Sequence, residues 1–262
     1  MNSRAAAVPG RVPALSAHRG GGVLNPRGTY EGYLKAVAAG ADCVEFDVRR
    51  TLDGTLVALH EARVGRGRPL QAVSYPRLCE LTGHKVPRIA EVMRLLAGRA
   101  VAHIDLKDAA CADAVVRLGL ELAGPAGMIV TTGDRAVLAR LKREFPAVLV
   151  GLSIGGGLAQ VAPRSLAPLR PRPSRAGLAA VGVADWAVIH RRLARPALLA
   201  QYQRQGIKTM VWTVNADRDL ARWMAAPGVD ALVTDRLDRA ILLREQRAPE
   251  PLPEAGRASP SP

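Results

Sequence analysis

Asp42-Cys43-Val44-Glu45-Phe46-Asp47-Val48 is a short apolar run carrying two acids two residues apart. On a β-strand that spacing sends both carboxylates to the same side. Two acids flanked by Val44 and Val48 are costly in a core unless they are paired or bind a metal. The surroundings of this run repeat one pattern. Upstream, Ala14 to His18 is a short apolar strand, and Thr29 to Ala39 reads as a helix stopped by Gly40. Downstream, the turn Asp53-Gly54 leads into a third short apolar run, Leu56 to His60.

The alternation continues along the chain. Helical periodicity covers Pro76 to Leu81 and Ile89 to Leu96, a strand Ala100 to Leu106, and a helix Ala109 to Ala123. Strands are predicted at Met128–Thr132, Val148–Ser153, Trp186–His190, Lys208–Val214 and Ala231–Thr234. Helices are predicted at Arg135–Glu144, Pro196–Gln205, Asp217–Ala226 and Arg236–Arg247, the last capped by Asp235. Eight strand–helix alternations in about 230 residues fit an α/β chain folded as a (β/α)8 TIM barrel better than an open doubly wound sheet. In such a barrel the C-terminal strand ends carry the chemistry, and His18, Asp47, Asp105 and Thr213 fall there. Gly155 to Ala180, rich in Gly, Pro and Arg, reads as an irregular segment or a broken helix. The expected organisation is an N-terminal extension over 1–13, a barrel over 14–246, and a disordered Pro-rich tail over 247–262.

Composition narrows the function classes. Hydrophobic residues are 48% and aromatics only 3%, so the core must come mainly from Ala, Val, Leu and Ile. No apolar run approaches the roughly 20 residues of a membrane span. Met1 to Pro13 lacks the apolar segment of a signal peptide, so cytoplasmic residence is expected. Cys43, Cys79 and Cys111 form no C-x-x-C pair, which argues against a disulfide framework and a zinc site. The net charge of +14 attracts anionic ligands and permits transient contact with an anionic lipid surface. The arginines are scattered without interleaved aromatics, so specific nucleic-acid binding is not expected.

Asp105 and Lys107 repeat the two-residue spacing of Glu45 and Asp47. A third carboxylate completes a plausible all-oxygen site for Mg²⁺ or Ca²⁺; the competing reading is a buried salt bridge with the lysine. His18 is followed by Arg19, a bidentate fork for phosphate, and by Gly20 to Gly22, which allow close backbone approach. With His60 it makes a histidine pair able to share general acid and general base work. His84, His103 and His190 lack such company and read as structural or surface residues.

These motifs together resemble the glycerophosphodiester phosphodiesterases. They are Ala17-His18-Arg19-Gly20, Val44-Glu45-Phe46-Asp47, Thr51-Leu52-Asp53-Gly54 leading to Leu59-His60-Glu61, Ile104-Asp105-Leu106-Lys107, and Val211-Trp212-Thr213-Val214-Asn215. Gly228-Val229-Asp230 to Thr234-Asp235-Arg236 looks like the family's last strand, and the resemblance covers roughly Leu15 to Leu243. It implies a metal-dependent TIM barrel that hydrolyses a small-molecule glycerophosphodiester to glycerol 3-phosphate and an alcohol. By resemblance Glu45, Asp47 and Asp105 hold the divalent ion, and Arg19 and Lys107 bind phosphate. His18 and His60 form the acid–base pair, and Trp212 walls the glycerol side. A lysophospholipase D-like enzyme and a non-catalytic phospho-ligand-binding barrel are the alternatives. The chain departs from the family at Pro26-Arg27-Gly28-Thr29, where Pro-Glu-Asn-Thr is usual. That swing of two charge units would weaken the metal site or favour a more anionic substrate. Asp105 stands where Glu is usual, one methylene shorter. Arg63, Arg66 and Arg68, in the short insertion Ala62 to Ala72, would overhang the barrel mouth.

Overall fold

A computed structural model describes residues 12–22, 27–155 and 183–247. Within them the strands are β1 Ala14–Ala17, β2 Cys43–Arg50, β3 Leu56–Ala58, β4 Arg63–Val64, β5 Arg68–Pro69, β6 Val101–Leu106, β7 Met128–Thr132, β8 Leu149–Ile154, β9 Trp186–His190, β10 Lys208–Trp212 and β11 Ala231–Thr234. The helices are α1 Tyr30–Ala38, α2 Tyr75–Thr82, α3 Ile89–Leu96, α4 Ala112–Ala123, α5 Arg135–Glu144, α6 Pro196–Arg204, α7 Asp217–Met224 and α8 Leu237–Glu245.

Eight parallel strands run in the order β1-β11-β10-β9-β8-β7-β6-β2, and β1 pairs with β2 to close the barrel. The expected (β/α)8 architecture is therefore present. Both faces of these strands are buried, which is why they read as nearly unbroken apolar runs. Ile129, Trp186, Val188, Met210, Ala231 and Val233 fill the lumen. The opposite faces, including Leu15, Val44, Phe46, Ile104, Val130 and Leu232, pack under the helices against residues such as Val92, Met93, Val116, Leu138 and Leu220. Asp134 caps α5 by accepting hydrogen bonds from the amides of Ala136 and Val137.

The structure alters three readings. The short apolar run Leu56–His60 is a strand only as far as Ala58, β3, which lies antiparallel on the extension of β2 and pairs Val48 with Ala58. The helix near Pro76–Leu81 exists as α2 but belongs to the insertion and not to the ring. It packs in a separate small core of Val57, Val64, Leu70, Val73, Tyr75, Leu78 and Val86. That core makes the insertion a folded cap reaching well beyond Ala72. Finally, Asp235 does not cap α8. The residue before that helix is Arg236, which makes no side-chain capping bond, and the Asp235 carboxylate is used elsewhere. The N-terminal extension, most of the Gly155–Ala180 segment and the tail lie outside the described residues.

Candidate active site

β2 and β6 are neighbours whose register pairs Glu45 with His103 and Asp47 with Asp105. Residues two apart share a strand face, so Glu45, Asp47 and Asp105 all turn into the upper barrel. One ligand oxygen from each lies within 4.8 Å of the other two. The shorter Asp105 thus reaches the cluster. Glu45 and Asp47 are each only 3% exposed. Burial, followed by repulsion from Asp47 and Asp105, pushes the Glu45 carboxyl well above its ordinary range. Burial likewise raises Asp105, against the pull of Lys107. The Lys107 ammonium lies 2.6 Å from Asp105 Oδ2 and 3.2 Å from Asp47 Oδ1. Burial opposes its charge, but Asp105 and Asp47 hold its pKa above the usual value.

Whether these residues suit a cation can be tested on one atom. Asp47 Oδ2 is buried and accepts no hydrogen bond. Arg19 Nε lies 2.9 Å away but is not aligned to donate and is itself unsatisfied. A buried, unsatisfied carboxylate oxygen among three crowded acids is what a hard divalent ion corrects. The donor set is all oxygen, as Mg²⁺ or Ca²⁺ requires, and the residues fit.

The turn after β1 aims the next groups. Arg19 adopts the left-handed region at φ 51°, ψ 38°, a conformation non-glycine residues hold mainly where function demands it. In that pose its amide donates to Glu45 Oε2 at 2.9 Å. Gly20 follows at φ 83°, and a Cβ there would lie 2.9 Å from the backbone of Gly32 and Tyr33; only glycine lets the turn sit on the start of α1. His18 Nδ1 is 2.7 Å from Asp235 Oδ1. Asn215 holds that aspartate, donating from Nδ2 to Asp235 Oδ2 at 2.7 Å and accepting the Asp235 amide at 3.0 Å. Burial works against the Asp235 charge, but the His18, Asn215 and Arg27 contacts bring its pKa below the usual carboxylate range. An ionised carboxylate only accepts, so His18 Nδ1 carries the proton. Its other nitrogen, Nε2, lies 3.9 Å from Glu45 Oε2 and faces the acids.

Beneath the acids His103 forms a floor. Its ring nitrogens lie 3.1 Å from Ser16 Oγ and 3.4 Å from Thr131 Oγ1, and it is 2% exposed. Burial first, then the His18 charge, lowers its pKa to about 3. The unfolded chain binds this proton below about pH 6.5 and the native chain does not, so His103 makes stability fall on acidification. Between pH 6.5 and 5 that loss is about 1.7 kcal/mol, because the unfolded imidazole is already about half-protonated at pH 6.5. We expect His103→Gln to show a correspondingly smaller difference in urea-unfolding free energy between these two pH values. An unchanged difference would refute the assignment.

β3 brings in the second histidine. Because it returns antiparallel along β2, the Leu59 amide bonds to the Asp47 carbonyl at 3.0 Å, and Arg49 Nε holds the His60 carbonyl at 2.9 Å. His60 is therefore beside the strand that carries Glu45 and Asp47. Burial is the largest influence lowering its pKa, partly countered by Asp47. His60 lines a cavity of about 620 Å³ that starts at Arg19 and Asp47 and runs under the cap past Arg63, Thr82, His84 and Val86. Lys107 and Trp212 are not on its wall. Trp212, half-buried at the end of β10, donates its indole N–H to the Val188 carbonyl and meets His190 edge to face at 5.2 Å.

All eight residues named from the sequence thus sit at the C-terminal end of the barrel or in the loops above it. In the sequence Asn215 stands only within a motif and Asp235 reads as the cap of the last helix, so neither is marked for the site. An aspartate just before a helix looks like a cap in sequence, and only the closure of β1 on β11 brings it to His18. His84 and Arg27 also join the cavity wall. The three cysteines are unpaired, as expected, and among the described residues no helix is long and apolar enough to cross a membrane.

Comparison with known proteins gives concordant results. The model of the glycerophosphoryl diester phosphodiesterase family matches residues 18–90 and 97–239. A glycerophosphodiester phosphodiesterase of Caldanaerobacter subterraneus is 24% identical over 247 residues, covering 87% of this chain and 96% of the relative. The crystal structure of a glycerophosphodiester phosphodiesterase from Thermotoga maritima has a TM-score of 0.71 at 21% identity, covering 89% of this chain and 99% of that one. An Oleispira antarctica phosphodiesterase, solved in complex with the product sn-glycerol-3-phosphate, has a TM-score of 0.71 at 16% identity over 89% of this chain and 97% of that chain.

Proposed function

The chain belongs to the glycerophosphoryl diester phosphodiesterase family, and from that premise we propose that it hydrolyses glycerophosphodiesters to glycerol 3-phosphate and an alcohol by two-histidine, metal-assisted catalysis. The observation that carries this reading is His18: its Nδ1 is committed to Asp235, which leaves Nε2 as the ring nitrogen turned toward the acid cluster. Glu45, Asp47 and Asp105 would hold the divalent ion, Mg²⁺ or Ca²⁺. When bound, that ion supplies Lewis-acid polarisation of a phosphoryl oxygen.

The protein's own groups do the rest. Arg19 and Lys107, now turned onto Asp47 and Asp105, are cations within reach of a phosphate and would clamp its oxygens. His18 Nε2 takes the proton of the substrate hydroxyl next to the ester as that oxygen attacks phosphorus. Asp235 steadies the imidazolium so formed. His60, on the cavity wall, gives a proton to the departing alcohol oxygen, whose bond to phosphorus breaks. The resulting cyclic phosphodiester is opened by water as the two histidines exchange roles and return to their starting protonation states. Trp212 would wall the glycerol arm on the side away from the cavity.

The test is release of glycerol 3-phosphate from the choline, ethanolamine and glycerol diesters of glycerophosphate, with Mg²⁺, Ca²⁺ or EDTA. Release is expected with a divalent ion and not in EDTA. Silence with every ion would leave the non-catalytic binding barrel as the better account. A lysophospholipase D-like activity has less support, since the exposed large apolar residues Tyr30, Leu34, Leu52, Val183 and Leu242 line none of the cavity.

A further inference from the structure

We propose that the cavity beside the catalytic groups is a recognition pocket for a phosphate carried on the alcohol arm of the substrate, with Arg27 and Arg63 as its specificity-determining residues. The inference rests on the phosphodiesterase reading and names the class of diester that the site takes.

The first argument is direction. The cavity contains His60, the group assigned to protonate the leaving alcohol, and excludes Trp212 and Lys107. The arm that leaves toward His60 is therefore the arm that enters the cavity. Its volume of about 620 Å³ is that of a small-molecule site, roughly 300–1,000 Å³, and leaves room for a head group the size of a phosphorylated polyol.

The second argument is charge. Beyond Arg19 and Asp47 the ionisable wall residues are Arg27, Arg63, His60, His84, the phenol of Tyr33, and a single carboxylate, Glu61. That acid is turned toward His60, with Oε1 3.6 Å from its Nδ1. Arg63 is exposed and donates one Nη1 bond to the Gly67 carbonyl at 2.8 Å. Among the described residues it has no carboxylate within ion-pair distance, so most of its five donors remain for a ligand. Arg66 and Arg68, in the same hairpin, do not line the cavity.

The third argument is how Arg27 is seated. Its aliphatic stem crosses Gly22, where any Cβ would collide with it. Its guanidinium reaches Asp235 Oδ1 at only 3.5 Å and forms no ion pair with Glu45, Asp47 or Asp105. The residue that replaces an acid thus leaves the metal cluster alone and adds a cation to the cavity rim. A choline or other cationic alcohol would meet two guanidiniums, whereas a phosphate ester would be gripped by them.

The experiment uses a matched pair, glycerophosphoinositol and glycerophosphoinositol 4-phosphate, which differ by one phosphate on the alcohol. Wild type is expected to favour the phosphorylated diester by about tenfold in kcat/KM, mainly through KM, a size typical of a charge-assisted contact. In the Arg27→Gln/Arg63→Gln protein the preference should shrink toward unity. Equal kcat/KM values in wild type, or a preference that survives the double substitution, would overturn the proposal. Both arginines are exposed, and thermal melts check that the variant is folded. Calorimetric binding of the same pair to His18→Ala protein separates the two readings. A binding preference without wild-type turnover upholds the pocket and sinks the hydrolase. Turnover without preference does the reverse.

Discussion

Replacing His18 by alanine is expected to lower kcat/KM for glycerol 3-phosphate release by about 10²–10⁴-fold, the range for loss of a general acid–base group. The fold should be untouched, because the ring is held by one bond to Asp235 and packs at the edge of the barrel mouth. Divalent-ion binding should also persist, since Glu45, Asp47 and Asp105 keep their places on β2 and β6. A smaller loss is expected for Asp235→Asn, about 10–100-fold, as for other groups that orient a reactive ligand. An asparagine can turn its amide toward Nδ1 and select the opposite tautomer, putting the proton on the nitrogen that must act as base. The loss should appear in kcat with KM little changed, and Asp235→Glu should recover part of it. Turnover by His18→Ala within a few-fold of wild type would remove the histidine from the mechanism. A change confined to KM in Asp235→Asn would make that aspartate a binding residue.

The second large effect concerns Asp47. Its Oδ2 is buried without a hydrogen bond, and its two oxygens also face Arg19 and Lys107. Asp47→Asn removes the charge that Arg19, Lys107 and, on the proposed reading, a divalent ion share. We expect turnover to fall by at least about 10³-fold, more than one electrostatic group ordinarily contributes to a transition state. Thermal melts provide a reading independent of activity. An ion present at about 100 times its Kd stabilises the native state by about 2.7 kcal/mol. For a chain of this size that is a rise of about 5–10 °C in Tm, at about 2–4 °C per kcal/mol. Wild type should show this rise on addition of Mg²⁺ or Ca²⁺ and lose it in EDTA, while Asp47→Asn should show neither change. A wild-type Tm that ignores both ions would argue against a metal site at the acid cluster.

Much of this was legible because a parallel strand buried on both faces writes its own signature. An acid inside such a run, as at Glu45, Asp47 and Asp105, has few reasons to be there, and its spacing alone sets which face it takes. The eight alternations and the strand-end positions of His18 and the acids could be read this way. Local patterns failed where the partner was distant. Asp235 carries the mark of a helix cap, and its real partner is 217 residues away. The run Leu56–His60 carries the mark of a strand, but not whether it runs parallel in the barrel or antiparallel beside it. The periodicity of α2 matched a ring helix, yet its apolar face found Val57, Val64 and Leu70 in place of the barrel.

What the sequence by itself determined is therefore the barrel, its strand faces and the identity of the acids and histidines. Side-chain period and burial are local properties that a chain carries before it folds. What only the tertiary structure decided is which groups meet. Closure of β1 between β2 and β11 delivered Asp235 to His18, and the antiparallel return of β3 delivered His60 to Asp47. The seat on Gly22 turned Arg27 away from the acids and toward the cavity. The first joins segments 217 residues apart, and the other two turn on how a hairpin and a loop fold back on themselves, which no residue spacing encodes.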